Sequence, residues 1–183
     1  MDQWKQALRE GAIAGTAASV ASTLALVLAG RRETGYAVAP LNAISHWLWD
    51  REALHQDQPT LRHTLAGCLV HQGASMFWGT LHARAWGMRP QAKRPVPALA
   101  GAAAAAALAC LVDYRMTPER LTPGFEHRLS LGSMAVVYGS FALGLALGSM
   151  LSRPRPASSA HPARRHRRHP RPAATPARRP ATR

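Results

Sequence analysis

The chain has 183 residues, 47% of them hydrophobic, and a formal net charge of +14. Length alone suggests one domain, yet residues 153–183 hold ten Arg and seven Pro and no Leu, Ile, Val, Phe or aromatic side chain. That tail cannot bury a core and reads as disordered. Without its ten arginines, 13 Lys and Arg face nine Asp and Glu, a net of +4, so most of the positive charge belongs to the tail. Two cysteines, Cys68 and Cys110, lie inside apolar stretches and imply no secreted disulfide framework.

Residues 11–30 are twenty residues without a charge, flanked by Lys5 and Arg9 before and Arg31 and Arg32 after. At 1.5 Å per residue they cover about 30 Å, one hydrocarbon core. A cleaved signal peptide would have a shorter apolar region and a small-residue cleavage site, so this segment reads as a retained first span. Gly11, Gly15, Ser19 and Thr23 recur every four residues and form a small-residue stripe on which another helix can close.

The following loop is long. Within it Pro40 suits a first helical turn. Leu41, Ile44, Trp47, Leu48 and Leu54 fall near helical spacing, and Tyr36, Trp47 and Trp49 favour the headgroup region. Residues 41–55 are therefore expected to lie on the membrane surface as an amphipathic helix. A re-entrant hairpin would need protein cover for its backbone.

The second span is expected at about 64–81, inside a stretch, 61–86, that is long enough to cross a bilayer yet carries His63, His71, Gln72 and His82. The other apolar segments are expected to surround it. Residues 96–112 contain nine alanines and form a short, weakly hydrophobic third span, expected to pack inside the bundle. Thr117-Pro118 and Thr122-Pro123 each read as a helix cap followed by a first-turn proline, with Glu119 and Glu126 following. Residues 129–151 are the fourth span, where Ser140, Gly144 and Gly148 form a second small-residue stripe. Its partner is the first span, by matching stripes, or another copy of itself.

Four spans put both termini on one side. That side holds Lys5, Arg9, Arg84, Arg89, Lys93, Arg94 and the tail arginines, while the other holds seven arginines balanced by seven acids. The positive-inside rule then makes the chain a multi-pass inner-membrane protein with both termini in the cytoplasm, although without the tail the balance of positive residues is six against seven. Residues 1–152 form an all-α membrane four-helix bundle and 153–183 a basic tail.

Two segments carry a resemblance. Ala39-Pro40-Leu41-Asn42-Ala43-Ile44-Ser45-His46-Trp47-Leu48-Trp49 and Leu121-Thr122-Pro123-Gly124-Phe125-Glu126 resemble a family of small uncharacterised proteobacterial-type inner-membrane proteins with four spans. The resemblance covers roughly residues 10–150. It implies the threading and no activity, ligand or cofactor.

Catalytic signatures are missing: there is no Walker loop, GxSxG, HExxH, CxxC or dinucleotide fingerprint. His46, His63, Asp113 and His127 all fall at the outer ends of the expected elements, where imidazole and carboxylate groups could bind a transition metal; ion pairing among loop ends explains them as well. His71 is ionisable at mid-bilayer and with Gln72 is the intramembrane polar pair. It could relay protons or ligate haem, for which no facing histidine exists within one chain, or simply hydrogen-bond across helices. Arg164, Arg165, Arg167 and Arg168 would be drawn to anionic lipid, a closer partner than nucleic acid for a tail that leaves a span. The leading expectation is a non-enzymatic assembly or scaffold component, binding lipid and a second copy or a membrane partner through its small-residue faces. The alternatives are a small transporter or ion-handling subunit using His71, and a membrane metal- or haem-binding protein.

Overall fold

The computed structural model describes residues 2–152, and the tail with its Arg164, Arg165, Arg167 and Arg168 lies outside the described residues. All regular structure among the described residues is helical: α1 (Asp2–Glu33), α2 (Ala39–Ile44), α3 (His46–Leu54), α4 (Ala66–His82), α5 (Pro95–Arg115) and α6 (Leu131–Leu151), joined by short 3-10 and π turns. Helices α1, α5 and α6 are each long and apolar enough to cross a membrane. The expected second span is shorter as an α-helix, 17 residues, but π-helical turns at Leu61–Leu65 and Ala83–Gly87 extend it at both ends.

The hub is α1, not the histidine-bearing α4. One flank of α1 packs on α6 and another on α4; α5 packs on α6 and scarcely meets α4. This order follows from where the small side chains are. Ala14 and Ala18 of α1 are almost wholly buried against α6. A methyl added at Gly144 would sit 2.5 Å from the Ala17 carbonyl oxygen, and one at Gly148 2.5 Å from the Ala14 Cα. Gly11 and Gly15 face elsewhere, against Thr80, Ser75 and Met76 of α4, and Gly79 answers them from α4. The stripe of α6 therefore meets α1 on an alanine face and not on the glycine stripe. The glycine stripe of α1 serves α4. Ser140 is only half-buried beside this seam.

The placing of α5 corrects a sequence expectation. It lies at the edge of the bundle, with Ala98, Ala102, Ala106 and Ala109 buried toward α6 and Leu99, Leu108 and Leu111 left about half exposed. An alanine at every third or fourth position makes a narrow seam, and the leucines between them point outward.

The expected surface helix is also corrected. It is broken in two at Ser45, and its first half is buried throughout, from Ala39 to His46. Helix α2 wedges between α1, α4 and the Phe125–His127 turn. It comes so close to α4 that any side chain at Gly67 would strike the Leu41 carbonyl oxygen. The chain then kinks at Asp50, whose φ of 50° is the one positive value at a non-glycine among the described residues.

Neither Thr117 nor Thr122 caps a long helix. Each Thr-Pro pair introduces a three-residue 3-10 turn, and the cap of α6 is Ser130, whose side chain accepts from the Ser133 amide at 3.3 Å.

Candidate functional site

Four helices arranged α4–α1–α6–α5 would close into a ring if α5 met α4. They do not close, and the gap is a partly open cavity of about 460 Å³ in the half of the bundle nearest the 34–65 and 116–130 loops. At the other end of the gap Trp86 lies over Gly101 and donates to the Pro97 carbonyl at 3.0 Å, joining α4 to the start of α5.

The loops form a lid on the cavity, and their own polar groups hold it in place. Asn42 is fully buried; its amide donates to Gln56 and Gln58 carbonyls at 2.9 and 3.0 Å, and its oxygen accepts from Thr64 at 2.7 Å. The Trp47 indole donates to Thr122 O at 2.8 Å, and Arg128 reaches both Leu54 O and the Asp57 carboxylate. Gly124 has φ of 86°, and a methyl there would fall 2.6 Å from His46 Nδ1. The lid therefore needs glycine at this turn.

Inside, the walls are apolar and unusually aromatic, with Trp47, Phe77, Trp78, Phe125, Tyr138 and Phe141 all facing the space. Two polar pairs interrupt them. His71 Nε2 lies 2.8 Å from Ser22 Oγ, and Ser22 Oγ donates onward to Ala18 O at 2.7 Å. The tautomer that keeps both of these contacts carries its proton on Nε2 and leaves Nδ1 as the acceptor. The second pair is Asp113, which accepts from the Tyr138 hydroxyl at 2.6 Å.

His71 thus finds its partner across helices, on α1 at Ser22. Gln72 donates to Thr16 at 2.9 Å, beside the glycine seam rather than in the cavity. The four residues proposed for a metal do not converge. His46 is held by Ala43 O at 2.9 Å, His63 by Thr60 Oγ1 at 3.1 Å with Glu52 at 3.6 Å, Asp113 by Tyr138, and His127 is exposed. Among the described residues no three of His, Cys, Asp or Glu are grouped as an ion would need. Among the described residues, His46 Nε2 and His63 Nε2 are buried without a hydrogen-bond partner.

One constellation was invisible in the sequence. Lys93, in the short turn before α5, donates from Nζ to Glu10 at 2.9 Å, to Ser149 O at 2.9 Å and to Ser152 Oγ at 2.8 Å. Glu10 is 5% exposed and also accepts from Gln6. The cluster ties the start of α1 to the end of α6, where a cation also suits the unpaired carbonyls. Nothing in spacing signals a pair 83 residues apart. His82 joins the same end through Ser149, at 3.2 Å.

No protein-family model, curated protein or solved structure matches this chain.

Proposed function

We propose that this is a non-enzymatic four-span inner-membrane protein, with both termini cytoplasmic, that holds a lipid-soluble molecule in the cavity between α4 and α5. The observation that carries this reading is the unclosed ring. The contacts of α1 with α4 and with α6 are made at backbone distance through alanine and glycine, while α4 and α5 stand apart over an apolar space that contains an ionisable side chain. Ligand cavities of this kind are concave, mostly apolar and provided with a few placed polar groups. An intramembrane histidine facing such a space is a functional residue by default.

Four spans are supported by the continuous helical run of residues 61–87, about 40 Å long, which reaches from the lid to the Lys93 end. The ends of α1, α4 and α6 meet there, as an even number of crossings requires. The resemblance of residues 39–49 and 121–126 to small four-span inner-membrane proteins agrees with this threading. Assembly through small-residue faces is less well supported, because Gly11, Gly15, Gly144 and Gly148 are already occupied within one chain.

The test uses Gly73. It lines the cavity, and a Cβ there meets nothing within 4 Å. Gly73→Leu adds a branched side chain at the cavity wall from a Cβ that meets no neighbour. Lipid extracted from the purified variant should lack a species that the wild-type protein retains through detergent washing. Identical extracts overturn the binding role, and a reporter at Gln91 on the face opposite to one at Asp2 overturns the threading.

A further inference from the structure

Resting on that cavity reading, we infer that the bound molecule is a lipid whose head is a flat aromatic ring carrying hydroxyl groups, of the quinol class. Three observations meet in this assignment. The first is shape: six aromatic side chains face a space of about 460 Å³. Such walls suit a ring, which aromatic neighbours grip by offset or edge contacts, better than a flexible acyl chain, which needs only smooth apolar walls.

The second is the sign of the hydrogen bonding. Of the donors in the walls, Ser22, Thr117, Tyr138 and Trp47 have their protons committed to Ala18 O, Val112 O, Asp113 and Thr122 O. The ionisable groups that face the cavity from α4 and α5 both present acceptors, beside Ser75 and Trp78 of α4, which can donate. His71 Nδ1 and the second carboxylate oxygen of Asp113 make no hydrogen bond among the described residues. A ligand that satisfies them must donate, as a phenolic hydroxyl does and a quinone carbonyl cannot. Ser75 and Trp78 can still donate, and a hydroxyl oxygen can accept from them in return.

The third is the exit. The cavity is open on one side, and α5 scarcely meets α4 along the gap. A head seated between His71 and Asp113 can send its tail out through that gap. A hydroxylated ring on an apolar tail meets all three conditions. Binding alone is inferred, with no electron transfer assigned to the chain.

The experiment titrates purified full-length protein in non-ionic detergent by calorimetry. The probes are decylubiquinol, its oxidised form decylubiquinone, and decylbenzene, which has the ring and tail but no oxygen. The quinol is expected to bind at least about tenfold more tightly than the quinone, the worth of one well-made hydrogen bond, and decylbenzene more weakly still. Gly73→Leu should abolish quinol binding. His71→Gln, which keeps an amide near Ser22 and removes the Nδ1 acceptor, should weaken the quinol about tenfold and leave the quinone unchanged. Circular dichroism of each variant should match wild type; should His71→Gln unfold, the quinol-to-quinone ratio of the wild-type protein decides alone. Equal binding of all three probes, sensitive to Gly73→Leu, overturns the quinol assignment and leaves a general lipid cavity. Failure of all three while brominated phospholipid quenches tryptophan in wild type and not in Gly73→Leu does the same. Binding that ignores Gly73→Leu throughout overturns both readings.

Discussion

Lys93 offers the sharpest test of the fold. Its ammonium has three protons, and all three are directed at α1 and α6: Glu10, the Ser149 carbonyl and Ser152. The Lys93 and Glu10 side chains are 15% and 6% exposed, so solvent screens the pair little. Lys93→Met removes the charge and all three donors but keeps the apolar stem. A buried carboxylate left without its cation costs about 3–5 kcal/mol. Gln6 and Ser152 still donate to Glu10, which places the loss at the lower end, about 3 kcal/mol. Glu10→Gln removes the charge at the other end and costs about 1.5–3 kcal/mol, the worth of a charged hydrogen bond. If the two act as a pair, the double variant is no less stable than Lys93→Met alone, because the stranded carboxylate is gone. The assay is reversible unfolding in mixed micelles with increasing dodecyl sulfate, followed by tryptophan fluorescence. Single-variant losses that add in the double variant to within about 0.5 kcal/mol would refute the coupling.

Further outcomes follow from the helix seams and the lid. Gly144→Leu should cost about 3 kcal/mol by overpacking the α1–α6 seam, and thermal unfolding should record the loss with no change in particle size by gel filtration. Asn42→Leu strands two carbonyls and a threonine hydroxyl and should lower stability by about 3 kcal/mol in the same unfolding assay. Asp50→Gly relieves a backbone conformation that costs a non-glycine residue about 1–3 kcal/mol and should raise the midpoint of unfolding.

The long apolar helices were legible because an unbroken charge-free run of twenty residues has few other uses. Residues 11–30 are found inside α1, and residues 131–151 of the expected 129–151 form α6. Contact faces were legible only in part. The stripe of Gly144 and Gly148 does signal a close approach, but spacing cannot say that α1 meets it with Ala14 and Ala18 while Gly11 and Gly15 turn to α4. Helix α2 was misplaced for a related reason. Leu41, Ile44 and Trp47 look amphipathic whichever way they are covered, and what covers them is the loop from 116 to 130, distant in the chain. His71 was picked out by its chemistry, since a lone imidazole among apolar residues stands out. Asp113 and Tyr138 joined it only through the fold, because the cavity is defined by a contact that two helices fail to make.

The edge position of α5 separates two demands that most small bundles must meet with the same residues. Its alanine seam on α6 holds it to the body of the molecule, and its outer leucines need only be greasy. Beyond the Trp86 contact at its start, the side turned toward α4 scarcely meets that helix. Side chains there can be exchanged without disturbing the hub, so one scaffold can be retuned for cargo of another width by altering a single wall.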